Sequence, residues 1–142
     1  MRFTRQDPRP EGLNEANDCA VRATACATGL PYEQVHAAFK AAGRPDRRGT
    51  TWAAFKQAAK ALLGPGVEMT RIEPEYQLIG GYRRRWRATG RPTLARFTSE
   101  HRTGRYIVII KGHALALVDG VQLDQGPSGS RCQVQAFIKV PD

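Results

Sequence analysis

The sequence predicts an α+β domain in which N-terminal helices pack on a C-terminal antiparallel β-sheet. Three observations carry this. Apolar residues recur at helical spacing through the first half of the chain, with Gly29 and Gly64-Pro65-Gly66 as stops. From Tyr106 onward, β-branched and apolar residues run continuously or alternate. Between two of those runs lies Asp119-Gly120, a two-residue hairpin signal. Helices first and strands afterwards is the α+β order. With 142 residues, 41% hydrophobic and 25% charged, the chain suits one globular domain over 1–142 with a core of its own.

Each element has a local cause. Residues 1–16 are polar, hold two prolines and a glycine, and read as an extended arm close in sequence to Cys19, whose surroundings it could occupy. Asn17 or Asp18 is a fitting N-cap for an alanine-rich helix over 19–28, which Gly29 ends. Pro31 opens a second helix reaching about Ala42, with Val35, Ala38, Phe39 and Ala42 as its buried stripe. A basic loop over 43–49 follows. Thr50 or Thr51 caps a third helix, with Trp52, Phe55, Ala59 and Leu62 on one face. Residues 67–72 suit a short strand, and 73–91 read as a loop or irregular excursion. Pro92-Thr93 starts a short helix that Thr103-Gly104 ends. Strands are expected over 106–111, 113–118, 121–124 and 132–140.

The net charge is +9, from 22 Lys+Arg against 13 Asp+Glu, which favours acidic partners such as nucleic acid or an acidic protein. No apolar run approaches the roughly 20 residues that cross a bilayer, so no membrane partner is expected. The N-terminal stretch lacks the apolar run of a secretion signal, and the three cysteines form no CxxC pair, so a cytoplasmic setting is expected. No cofactor is implied. A metal site is not expected either, because Cys19, Cys26 and Cys132 lack paired-ligand spacing.

The chemistry centres on Cys19. At a helix start it meets the positive end of the helix dipole and unpaired N–H groups, both of which favour the reactive thiolate. Cys26, deep in an apolar stretch, and Cys132, opening the last strand, read as structural. His113 has a candidate partner. If Asp119-Gly120 is a two-residue turn, Val118 faces Val121 and Leu115 faces Asp124. His113 shares a face with Leu115, so His113 and Asp124 are diagonal neighbours roughly 7–8 Å apart at the backbone, within hydrogen-bonding reach of their side chains. Asp119 itself is a turn former. A nucleophile, a base and an orienting acid form the Cys-His-Asp arrangement of a catalytic triad. His36 and His101 read as structural or surface histidines.

The segment NDCAVRA before an alanine-rich helix, and GHALALVDGVQLDQG much later, resemble the papain-like cysteine peptidase superfamily. The similarity is greatest to its compact bacterial and phage-type members, including the bacteriocin-leader peptidases. Asp18-Cys19, Gly112-His113 and Asp124 match the motifs, in order, over most of the chain. The resemblance implies a papain-like fold with Cys19, His113 and Asp124 as catalytic residues and a protein or peptide substrate. That superfamily usually carries a glutamine shortly before the cysteine, as an oxyanion-hole donor. Here Asn14 and Asn17 are the candidates, beside the Cys19 backbone N–H. Ala20 stands where a glycine often follows the cysteine.

The expected function is therefore a cysteine peptidase or isopeptidase acting through a thioester, with deamidation or acyl transfer as variants of the same chemistry. The alternative is a binding module of the same fold, such as a phage protein acting on a host factor. Its contact surface would be Arg83, Arg84, Arg85, Trp86 and Arg87, whose interleaved charges and aromatic ring suit nucleic acid, an acidic partner, or the rim of the cleft.

Overall fold

A computed structural model describes the backbone of residues 1–142 and the side chains of all but positions 88 and 89. Alanine fills helix α1 (Cys19–Thr28), and Gly29, at φ 75°, stops it by donating its N–H to the Ala25 carbonyl at 2.9 Å. Helix α2 (Tyr32–Ala41) starts after Pro31. In α3 (Trp52–Leu63) the Thr51 hydroxyl accepts from the Ala54 N–H at 3.1 Å, and in α4 (Leu94–Glu100) the Thr93 hydroxyl accepts from the Arg96 N–H at 3.2 Å.

The strands are β1 (Arg2–Arg5), β2 (Met69–Arg71), β3 (Glu75–Ile79), β4 (Arg85–Gly90), β5 (Arg105–Ile110), β6 (His113–Val118), β7 (Val121–Asp124) and β8 (Val134–Val140). Six of them form one sheet in the order β1-β7-β6-β5-β8-β2. The α+β class holds, with two corrections. The sheet is mixed rather than antiparallel, because residues 2–5 of the expected arm form β1, parallel to β7. The segment 73–91 is not a loop: β3 and β4 pair as a separate two-stranded ribbon.

Both faces of the main sheet are covered, which is why β5 and β6 read as continuous apolar runs. Ile107, Ile109, Ala114, Ala116, Ala136 and Ile138 face a core shared with α1, α2 and α3. Tyr106, Val108, Leu115, Leu117 and Val134 face Leu94 and Phe97 of α4. The period of two along each strand divides its residues between the layers. Helix α1 packs mainly on β6. Ala20, Ala23 and Ala27 are buried on the helix, Ala114 and Ala116 on the strand, and these small side chains let the two backbones sit close.

One buried ion pair ties the segment before α1 to the loop after α2. Arg44, 3% exposed, donates from both terminal nitrogens to Glu15 at 3.2 and 3.1 Å. The Arg47 N–H at 2.7 Å and His36 Nε2 at 2.7 Å also meet the Glu15 carboxylate. Burial alone would push the Glu15 carboxyl up, but Arg44 and the other donors hold it down at about 2, from 4.5. A depressed carboxyl contributes stability that is present above 4.5 and lost as pH falls toward 2. Glu15→Gln leaves Arg44 buried without its counter-charge and is expected to cost about 3–5 kcal/mol at neutral pH. Denaturant unfolding of both proteins across the acid range checks this. The gap between them narrows as pH falls through the interval between those two pKa values.

Candidate active site

The start of α1 is held by Asp18, whose side chain is turned inward. Asp18 occupies the N-cap position and its carbonyl accepts from the Arg22 N–H at 2.9 Å, but its side chain makes no cap bond. The carboxylate instead accepts from the Tyr32 hydroxyl at 2.7 Å and from Arg9 at 3.3 Å, and pairs with Arg22 Nε at 3.2 Å. The first N–H groups of α1 are thereby left uncapped next to Cys19, where they favour negative charge on sulfur.

His113 opens β6 and Asp124 ends β7. Asp119 and Gly120 have φ of 49° and 79°, both positive, as a two-residue turn of primed type requires. The pairs Val118–Val121, Leu117–Gln122 and Ala116–Leu123 have the register expected from that turn. His113 Nε2 lies 2.6 Å from Asp124 Oδ2. The Gln125 N–H donates to Asp124 Oδ1 at 2.7 Å, and the Gln6 N–H, just beyond β1, donates to the Asp124 carbonyl at 2.8 Å. The N-terminal segment thus buttresses the strand end that carries Asp124 and stays out of the cleft. Asp119 Oδ1 accepts from the Gly104 N–H at 2.8 Å, so this carboxylate serves the turn.

Cys19 lies beside His113 and the Ala114 N–H at the end of the cleft, near enough for both to act on its thiol. With Nε2 committed to Asp124, Nδ1 is the nitrogen left for the sulfur. Burial pushes the Cys19 thiol up, but the His113 bond, the Ala114 N–H and the charges of His113 and Arg22 outweigh it, and the net shift is downward. His113 moves the other way, up to about 9 from 6.5, through its bonds to Asp124 and then Cys19 against the opposing effect of burial. A lowered thiol and a raised imidazole are shifts in the direction that favours a thiolate–imidazolium pair.

The pair opens onto a cleft of about 330 Å³, walled by Gly49, Thr50, Thr51, Trp52 and Phe55 on one side and by Ile109, Ile110, Gly112, Ala114 and Gln135 on the other. Arg71 stacks over the Trp52 ring at 4.6 Å. Two polar groups here went unnoticed in the sequence. The Thr50 hydroxyl is buried with no hydrogen-bond partner among the described residues. The register of β5 against β8 shifts between Ile109 and Ile110, which pair with Ala136 and Val134. Gln135 is therefore the extra residue of a β-bulge, and such bulges re-aim a side chain. Its amide has no partner among the described residues. No local pattern marks Gln135, since the bulge arises from pairing with a distant strand.

Asn14 and Asn17, the sequence candidates for an oxyanion hole, are engaged elsewhere. Asn14 Oδ1 accepts from the Arg47 guanidinium, Asn17 Nδ2 donates to the Arg47 carbonyl at 3.0 Å, and neither residue lines the cleft. They tie the 43–49 loop to the segment before α1. The Cys19 backbone N–H remains as a donor at the site. Arg83, Arg84, Arg85, Trp86 and Arg87 lie on the β3–β4 ribbon and its turn and do not line the cleft.

Cys26 is buried, and its thiol is pushed up to about 11 by burial and by the carboxylates of Asp124 and Asp7. Cys132 packs beside the α4 core. His101 stacks on Phe97, with Nδ1 2.8 Å from the Phe97 carbonyl. Glu15, His36 and Asp46 present ligand atoms within 4.8 Å of one another, but the Glu15 oxygens are already spent on Arg44, Arg47 and Ala16, and the adjacent guanidinium repels a metal ion.

The pair has a thiol signature. Cys19 is expected to react with iodoacetamide at a lower pH than a free thiol, whose ordinary midpoint is about 8.5, with a second transition as His113 loses its proton at about 9. Cys26 is expected to stay inert through the same range. His113→Ala leaves only the Ala114 N–H and Arg22 to oppose burial and is expected to move the Cys19 midpoint upward. Peptide mass spectrometry of alkylated samples across pH reads all three cysteines at once. Removing residues 1–6 takes away the buttress at Asp124, and the Cys19 rate advantage at neutral pH is expected to fall severalfold in the same assay.

Compared with protein-family models, curated proteins and solved structures, the chain matches none.

Proposed function

We propose that this chain is a cysteine-dependent amide hydrolase of papain-like type, a peptidase or isopeptidase, with Cys19 as nucleophile, His113 as general acid and base, and Asp124 as the group that orients the imidazole. The observation that carries this reading is that Cys19 and His113 line one cleft while His113 Nε2 lies 2.6 Å from Asp124 Oδ2.

The steps follow from the charges. The Cys19 thiolate attacks the carbonyl carbon of a substrate amide, forming a carbon–sulfur bond while the carbonyl electron pair moves onto oxygen. The Cys19 backbone N–H, at the positive end of α1, stabilises that oxyanion. The carbonyl reforms as the carbon–nitrogen bond breaks, and the His113 imidazolium gives its proton to the leaving amine. A thioester on Cys19 remains. Water then attacks it, the now neutral His113 takes a proton from the water, and cleavage of the carbon–sulfur bond returns the thiolate, the imidazolium and a carboxylic acid product. Asp124 accepts the Nε2 proton bond throughout and keeps Nδ1 directed at sulfur. A side-chain carboxamide as substrate would release ammonia, and an amine in place of water would give acyl transfer. Three free cysteines suit work in a reducing, cytoplasmic compartment.

The cleft supports an extended polypeptide as substrate. Gly49 and Gly112 leave room at the rim, Trp52 and Phe55 offer apolar surface, and Thr50 and Gln135 offer unpaired polar groups to a main chain. The test is a peptide library incubated with the protein in water enriched in the heavy oxygen isotope and read by mass spectrometry. New carboxyl termini carrying the label are expected, and Cys19→Ala abolishes them. His113→Ala should lower the rate by about 10²–10⁴-fold, and Asp124→Asn by less. Turnover that persists in Cys19→Ala would overturn the proposal.

A further inference from the structure

We propose that the β3–β4 ribbon is a platform for single-stranded nucleic acid, separate from the cleft. The ribbon is unusual in what it leaves in water. From Glu75 to Arg87 every residue except Ile79 is exposed. Leu78 pairs with Trp86, and Tyr76 lies two residues from Leu78, so these three side chains share one face. They are 60%, 43% and 70% exposed for Tyr76, Leu78 and Trp86, and Tyr82 at the turn is fully exposed. Most of the large apolar side chains exposed among the described residues therefore sit on this one ribbon. The fold gains nothing from that surface, and a two-stranded ribbon with both faces in solvent is marginal by itself. Such a patch marks a contact surface.

Charge selects the occupant. Arg85 and Arg87 lie on the opposite face, paired with Ile79 and Gln77, and Arg83 and Arg84 stand in the turn. The ribbon is only two strands wide, so the flexible arginine side chains reach round its edges. An acidic protein segment would satisfy the arginines but leave Tyr76 and Trp86 in water. A DNA duplex keeps its bases stacked on one another, and a ribbon laid in its major groove uses one face only. A single strand uses both features: its phosphates meet the guanidinium groups, and its bases, each with a π face, stack on the aromatic rings. Tyr76 and Trp86 are diagonal neighbours, roughly 7–8 Å apart, a spacing that consecutive bases of an extended strand can span. Arginine in place of lysine adds planar stacking to the charge.

The experiment is fluorescence anisotropy of a labelled oligothymidylate of about 12 nucleotides with the full chain, over a salt series. Binding is expected at low salt. Trp86→Ala and Tyr76→Ala should each weaken it roughly tenfold without changing the salt slope. Arg84→Ala should lower the slope of log affinity against log salt by about 0.7. Stacking should also quench Trp86 fluorescence, a signal that attachment by charge alone would not give. Circular dichroism checks that each variant keeps its fold. Absence of binding at low salt would overturn the platform, as would binding untouched by Trp86→Ala. Displacement of the strand by an equal concentration of a polyglutamate peptide would assign the ribbon to an acidic protein instead. Each of these outcomes is independent of whether Cys19 is catalytic.

Discussion

A carboxylate with no exposed surface stands directly before the candidate nucleophile, and the geometry of the site depends on how it is neutralised. Asp18 cannot be buried as an anion unless donors meet both oxygens. Tyr32 from α2, Arg9 from the N-terminal segment and Arg22 from the next turn of α1 do so. Three parts of the chain must therefore converge at one point, and that point is the first turn of the helix. Cys19, the next residue, begins that turn and lines the cleft. The Tyr32 hydroxyl proton is held more tightly in consequence, since burial and the Asp18 carboxylate both push its pKa up.

With Cys19 located by charge, His113 is brought to it by packing. Alanines on α1 and β6 let the helix lie close against the strand, and the strand begins at His113. Larger residues at Ala114 or Ala116 would force the helix away from the strand that carries His113. The imidazole is loaded from its far side by Asp124, and β7 is supported by β1. Cys19 and His113 are thus each shifted by a neighbour that a different structural element supplies. The thiolate is lowest in energy only while α1, β6 and β7 are all in place, which couples reactivity to the integrity of the fold.

Much of this was readable in the sequence where the cause is local. Gly29, Pro31, Thr51 and Thr93 mark helix ends through their own backbone or hydroxyl chemistry. The Asp119-Gly120 turn dictates the β6–β7 register, and that register brings His113 to Asp124. What was not readable depends on distant partners. Residues 2–5 become a strand only because β7 offers a free edge. The period-two pattern of Tyr76, Leu78 and Trp86 is obscured by arginines, and both faces of that ribbon are wet, so no core-facing stripe announces it. Asn14 and Asn17 sit at the right distance from Cys19 in sequence, yet the positive φ of Asn17, at 55°, and the proximity of Arg47 turn them to the loop. Gln135 owes its place to a bulge in a pairing that joins residues far apart in the chain.

The placement of charge separates selection from chemistry. Asp18 and Glu15 are drawn inward with arginine partners and Asp124 is spent on His113, so the net charge of +9 is left to the rest of the surface. The cleft takes none of that charge: its walls carry no arginine, lysine, aspartate or glutamate among the described residues, and its titratable groups are Cys19 and His113. A neutral cleft of small, apolar and amide-bearing residues discriminates by shape and main-chain hydrogen bonding rather than by charge. Under the platform proposal, an anionic partner would be drawn to the arginine-bearing ribbon, beyond the cleft, and would raise the local concentration of whatever it carries. The charges that act on the Cys19 thiol are those of His113 and Arg22 beside it, and the arginines of the ribbon are not among them.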